Sequence, residues 1–269
     1  MNPDPITQIK LFENLLKKKI PFVFIRFSDG ETEILKNRPL IISSEKILFR
    51  GKKYKNIYPK HDYKNFDPIK NQKLRLDLIQ SAKHKSNNYF KGIPTSHNDA
   101  KDDRDFMLEL NKGLDECITF ADLLMNSNYY FFRTKIVNQF KNFKNITLIA
   151  NHNSKPNKFL SNANFIKVPD NFFSNYQKTF KGITKELEKI PEDSLILCSA
   201  SSLSNIIGYH ISKLDSKRFI FIDIGSSMND YLGLKTNVRT YHLLENAKGL
   251  KMFIYKIIYK LSKNYTIRW

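Results

Sequence analysis

Residues 21–35 read PFVFIRFSDGETEIL. Phe22-Val23-Phe24-Ile25 is a continuous apolar run, the mark of a strand buried on both faces. Such strands belong to parallel sheets covered by helices on either side. The run ends at Arg26 and Phe27, and Ser28-Asp29-Gly30-Glu31 follow. Two readings of this exit are open. Ser28 and Glu31 have capping-box spacing, in which the two side chains satisfy the first free amides of a new helix. Asp29 and Glu31 are also hard oxygen ligands suited to a divalent cation. Arg26 could add charge-assisted hydrogen bonds to a phosphate, and Gly30 permits close backbone approach.

Outward from this stretch the chain alternates. Asp4-Pro5 opens an amphipathic helix carrying Ile9, Phe12 and Leu16. Residues 37–70 read as loop with short strand candidates at LII and KILF, and 51–66 interleave Lys with Tyr, either as a solvated loop or as one meeting a phosphorylated ligand. Helical LRLDLIQSA precedes strand-like YFKGI, and helical DFMLELNKGL precedes NYYFF, read as a short strand. TKIVNQF is helical, ITLIA and NFIKV are strands, and SNYQKTFKGITKELEKI is an amphipathic helix. SLILCSA is a strand, SNIIGYHISKL a helix, and RFIFIDIG a strand followed by helical residues. This alternation predicts an α/β fold, Rossmann-like, with a mainly parallel sheet and helices on both faces. No linker is visible, so residues 1–246 read as a single domain. Residues 247–269 interleave Lys251, Lys256, Lys260 and Lys263 with Phe253, Ile257 and Ile258. They read as a basic amphipathic helix, suited to an anionic membrane surface or to docking on the domain.

Ligands of open α/β sheets bind outside the carboxyl ends of the strands. The residues expected there form a polar rim. Arg26, Ser28, Asp29 and Glu31 follow the first strand, Thr95 and His97 follow YFKGI, and Arg133 lies beside NYYFF. Asn151 and His152 end ITLIA, Ser199, Ser201 and Ser202 follow SLILC, and Asp223, Gly225 and Ser226 end RFIFIDIG. The serine-rich turn before a helix suits an anion or an ordinary helix cap. Asp223, placed inside an apolar strand, needs partners or a ligand. Asp230 is a candidate general base at the same mouth.

Bulk properties narrow the classes. The chain has 269 residues, 41% hydrophobic and 13% aromatic, which excludes a disordered chain. Lys and Arg total 45 against 26 acidic residues, a net charge of +19 that attracts polyanions. Cys117 and Cys198 form no CxxC pair, and the six histidines form no metal motif. No apolar signal segment opens the chain, and no apolar run reaches the roughly 20 residues of a membrane span. A cytoplasmic protein is expected, peripheral at the membrane if residues 247–269 bind lipid.

With these residues in place, the sequence resembles the GT-D-type glycosyltransferases, bacterial enzymes once grouped as a domain of unknown function. Arg26-Phe27-Ser28-Asp29-Gly30-Glu31 is similar to their R-F-G-D-G-E motif. Gly92-Ile93-Pro94, the segment around Asn171 and Phe173, the turn at Ala200-Ser201-Ser202 and Asp223-Ile224-Gly225-Ser226 resemble later motifs. Ser28 stands for Gly, Ala200-Ser201-Ser202 for G-P-T, and Ser226 for His. The resemblance implies transfer of a sugar from a nucleotide-diphosphate donor, UDP-linked above all, to a bacterial surface glycan; a lipid-linked glycan would suit the basic segment 247–269. The resemblance also implies Asp29 and Glu31 as ligands of Mn²⁺ or Mg²⁺. The strand-end rim and the motif together give Arg26, Phe27, Ser28, Asp29, Thr95, Arg133, Asn151, Ser199, Ser201, Gly225 and Ser226 as expected nucleotide-sugar contacts, with Asp230 and Asp223 as catalytic candidates. A basic nucleic-acid-binding module and a metal-dependent phosphotransferase or nuclease are the alternatives. The first has charge in its favour but no recognisable nucleic-acid motif.

Overall fold

The computed structural model describes residues 4–94, 100–215 and 219–234. Its centre is a seven-stranded sheet in the order β7-β6-β1-β11-β10-β8-β9. These strands are β1 (Phe22–Arg26), β6 (Tyr89–Ile93), β7 (Ile118–Phe120), β8 (Ile146–Asn151), β9 (Asn164–Val168), β10 (Ser194–Ser199) and β11 (Phe219–Asp223). Every pairing between them is parallel.

β1 is an interior strand, the third of the seven, and alternates its side chains between two cores. Val23 and Ile25 face the layer of α2 (Asp29–Leu35), α3 (Gln72–Lys83), α4 (Lys101–Leu110), α7 (Tyr176–Leu187) and α8 (Ser202–Asp215). Phe22 and Phe24 face α1 (Pro5–Lys17) and the helical stretch 129–140. Phe12 of α1 packs its ring 5.1 Å from Phe22 and 5.0 Å from Phe24. That two-sided burial is why the strand reads as an unbroken apolar run.

The expected α/β class is therefore observed, with local differences. NYYFF is not a strand. Residues 129–140 run through α5 (Tyr129–Phe131), π-helical turns (Phe132–Val137) and α6 (Asn138–Phe140). Tyr129, Phe132, Ile136 and Phe140 recur at helical spacing and are all buried, so packing of one face overrides the β preference of aromatic residues. The edge strand on that side is instead β7, three residues long and paired only to β6. After β11 the chain turns through 225–233 rather than entering a helix.

Within the segment read mostly as loop, the strand candidates LII and KILF are observed, and two further strands complete a second sheet over residues 40–66. β2 (Leu40–Ile42), β3 (Lys46–Phe49), β4 (Lys52–Lys55) and β5 (Lys64–Phe66) are antiparallel in the order β4-β3-β2-β5. Charged groups fasten this sheet to the main domain. Asp103 of α4, almost fully buried, takes Lys36 Nζ and Arg50 Nη2 at 2.5 Å each. The Arg50 N–H donates to buried Glu33 Oε2 at 3.1 Å. At the other edge the Asn65 N–H donates to Asn171 Oδ1 at 2.8 Å, and the Phe66 ring packs 6.5 Å from that of Phe173. The proposed terminal helix 247–269 lies outside the described residues.

Candidate active site

A cavity of about 240 Å³ opens at the carboxyl ends of β1, β8, β10 and β11. Arg26, Ser28, Asp29, Glu31, Asn151, Ser199, Ser201, Asp223, Gly225 and Ser226 line it, so most of the expected rim does converge. His61, Asp62 and Tyr63, in the turn leading into β5, and Lys64 of β5 form the facing wall.

Glu31 is the capping residue expected from the spacing, and its carboxylate also faces the cleft. Its Oε2 accepts the Ser28 N–H at 3.2 Å, the capping arm that starts α2. Its Oε1 accepts the Ser201 hydroxyl at 3.0 Å, and Lys64 Nζ donates to the same hydroxyl at 3.1 Å. A relay therefore crosses the cleft floor from Lys64 through Ser201 to Glu31. Asp29 behaves differently: it is exposed, with Oδ1 accepting the neighbouring Gly30 N–H at 2.9 Å. Ser201 sits at φ +50°, a left-handed conformation rare for a side-chain-bearing residue. Proline cannot adopt that φ, so this turn differs in build from the G-P-T turn it resembles.

Arg26 is a buried clamp. Nη1 donates to the Ala121 carbonyl at 3.2 Å and approaches Met125 Sδ at 3.3 Å. Nε lies 3.4 Å from Asp223 Oδ2, near enough for an ion pair though not aligned as a hydrogen bond. The Arg26 carbonyl accepts from Asn205 Nδ2 at 2.7 Å. Asp223 also accepts the Gly225 N–H at 3.0 Å. Burial drives the Asp223 carboxyl above the usual carboxylate range, with Arg26 opposing that shift and Glu31 reinforcing it. Gly225, at φ +44°, leaves the space the guanidinium fills: a Cβ there would stand 1.6 Å from Nη2.

Other expected residues fall elsewhere. The Phe27 side chain is fully buried in the core and cannot touch a ligand. Asp230 and Arg133 form an ion pair at 3.0 Å, with Arg133 stacked 4.3 Å over Tyr231, and neither lines the cleft. Ser199 is at the cleft, but its hydroxyl donates to the Gly225 carbonyl at 2.7 Å. Asn151 donates to Asp170 Oδ1 at 2.7 Å. Thr95 and His97 lie outside the described residues. Sequence reasoning did not single out Met125, Asn229 or the 61–64 segment residue by residue. Only the Lys-Tyr interleaving of 51–66 gave a hint of that last segment.

For a divalent cation, the chemistry of the donor set is the test. Among the described residues no group of three or more His, Cys, Asp or Glu lies together to hold a metal. Exposed Asp29 fits a hard cation, while both Glu31 oxygens are already engaged. A cation of the magnesium type, which keeps few protein ligands and takes the rest from phosphate and water, fits such a site.

Fold and cleft together define a class: a parallel α/β domain with a polar, carboxylate-bearing crevice at its strand ends. Solved structures of the domain of unknown function 1792 share the fold. A selenomethionine form matches with TM-score 0.52 at 15% identity, covering 83% of this chain and 78% of its own. A structure described as a new glycosyltransferase from Streptococcus sanguinis matches with TM-score 0.53 at 14% identity, covering 83% and 81%. Another, described as a distinct glycosyltransferase fold, matches with TM-score 0.52 at 13% identity, covering 83% and 78%. No family model and no curated protein sequence matches the chain.

Proposed function

We propose that the protein is a glycosyltransferase that takes a sugar from a nucleotide-diphosphate donor, with UDP as the favoured nucleotide. The observation that carries this reading is the strand-end cleft, which sets exposed Asp29 beside the Lys64–Ser201–Glu31 relay in a fold shared with a structure described as a glycosyltransferase. Lys64 supplies positive charge for a diphosphate. The relay orients its ammonium group, so little ordering is left to the moment of binding. Asp29 is the residue that would hold Mn²⁺ or Mg²⁺, with Glu31 joining if Ser201 releases it. Such an ion, when bound, offsets charge on a leaving diphosphate. Arg26 acts from behind: it fixes Asp223 and the 225–226 turn that forms the cleft wall. A bacterial surface glycan or glycoconjugate is the proposed acceptor.

Calorimetry with UDP in the presence and absence of Mn²⁺ tests the reading. Wild-type protein should bind UDP with Mn²⁺ and at least tenfold more weakly without it, about 1.4 kcal/mol or more. Asp29→Asn, an exposed substitution that leaves the relay intact, should remove the Mn²⁺ dependence. Equal UDP affinity in wild type and variant, with and without the ion, would show the cation role to be wrong. Nucleotide-sugar turnover then separates sugar transfer from phosphate transfer.

A further inference from the structure

A second cavity, about 500 Å³, lies against the first and shares Asp29, Gly30, Asp62 and Lys64 with it as a common wall. Its other side is one face of the small sheet. The cross-strand register Lys64–Ile42–Ile47–Tyr54 puts these four side chains in one row on that face. The next row brings Leu40 and Phe49 to the same side, and all six line the cavity. This is an apolar floor with polar groups only at the wall and the rim.

The floor is incompletely covered. α2 begins over it with Gly30, whose missing side chain leaves only Leu40 Cδ2 at 3.6 Å and Lys64 Nζ at 4.0 Å around the position of a Cβ. Tyr54 and Ile57, at the rim, are 50% and 67% exposed. At the wall, Asp62 Oδ2 is buried yet has no hydrogen-bond partner. A shielded carboxylate oxygen without a donor is costly, and a turn of the Asp62 carboxylate towards the cavity would let a ligand hydroxyl satisfy it.

We propose that this second cavity binds the acceptor, and that the acceptor is a glycoside with an apolar aglycone of lipid type. The proposal rests on the glycosyltransferase reading of the adjoining cleft. The apolar arm lies on the Ile42–Ile47–Tyr54 face, and the sugar end meets the wall, where the Asp62 carboxylate turns to accept a hydrogen bond from an acceptor hydroxyl facing the donor cleft. Two lysines, Lys55 and Lys64, and two carboxylates, Asp29 and Asp62, line the cavity, so their charges balance. Apolar contact rather than net charge therefore selects the ligand.

The test uses the full chain and two probe series: octyl and methyl β-glycosides of glucose, galactose and N-acetylglucosamine. Titrations are followed by NMR below the micelle concentration, alongside UDP with Mn²⁺. At least one octyl glycoside should bind roughly tenfold or more tightly than its methyl counterpart, given the area an alkyl chain can bury. Saturating UDP should not displace it. Tyr54→Ala and Ile57→Ala change exposed side chains, so the fold stays intact; each should erode the octyl preference and leave UDP binding alone. Asp62→Ala should weaken octyl and methyl glycosides alike. UDP binding with no octyl preference, or a preference that survives both rim variants, overturns the acceptor pocket and leaves the glycosyltransferase reading standing. Octyl binding with no UDP binding sinks that reading and the acceptor role together. A chain that sediments as a dimer and is dissociated by the rim variants would show that a second copy covers this face, which also overturns the proposal.

Discussion

Replacing Gly225 with alanine puts a methyl carbon 1.6 Å from Arg26 Nη2, 2.7 Å from Cζ and 3.3 Å from Nη1. No rotation of the methyl group relieves this, so the guanidinium must leave its seat. It then loses the Ala121 carbonyl and its place beside Asp223. Asp223 is left buried without its counter-charge, a loss of about 3–5 kcal/mol for a broken buried pair. The left-handed φ adds about 1 kcal/mol for any residue with a Cβ. For a chain of this size the sum corresponds to a fall in melting temperature of roughly 10 °C or more. Gly113→Ala is the control: its φ is +97° but nothing lies within 4 Å of the new Cβ, so only the backbone cost applies. Thermal and urea unfolding measure both. UDP binding should weaken in Gly225→Ala alone, because the 225–226 wall moves with Arg26. A Gly225→Ala protein as stable as Gly113→Ala, with UDP affinity unchanged, would refute the clamp.

Two further outcomes follow from the site. Asp122, beside the Arg26 clamp, has a buried Oδ1 without a partner, and burial pushes its carboxyl up to about 7. The folded protein then keeps a proton that the unfolded chain releases near pH 4, so stability is full below that pH and lost as pH rises towards 7, by at most about 4 kcal/mol. Asp122→Asn should flatten this slope in urea unfolding between pH 5 and 8; an unchanged slope would place the titration elsewhere. Asp230→Asn should cost about 1 kcal/mol or less, since its pair with Arg133 is partly exposed and outside the cleft lining. A drop in turnover of a hundredfold or more would instead restore Asp230 as general base.

The sequence was informative wherever one local property decided the outcome. Phe22–Ile25, Ile146–Ala150, Ser194–Cys198 and Phe219–Ile222 are strands because both of their faces are buried, and burial on both faces leaves an unbroken apolar run. Strand ends followed, and with them Arg26, Asp29, Glu31, Ser201, Asp223 and Gly225 at one mouth. Ser28 and Glu31 showed the helix start by spacing alone. What failed was settled by distant partners. Residues 128–132 have strand-like side chains, but their buried face lies against α1 and takes helical periodicity from there. Ile118–Phe120 is too short to carry a pattern and is a strand only because β6 offers an edge. Phe27 belongs to a motif that reads as functional, yet the pleat turns it into the core.

Chemistry divides along the same line. Residue types that can hold a cation, a phosphate or a buried ion pair are visible in order along the chain. Which of them are engaged is a matter of pairing over long sequence separations: Glu31 with Ser201, Arg26 with Asp223 and Ala121, Asp230 with Arg133. The second cavity depends most on tertiary structure. Its floor exists because antiparallel register aligns Lys64, Ile42, Ile47 and Tyr54, and its wall because Asp103, Lys36 and Arg50 fasten that sheet beside α2. Local sequence fixes what each residue can do, while register and buried charge pairs decide which residues face one another.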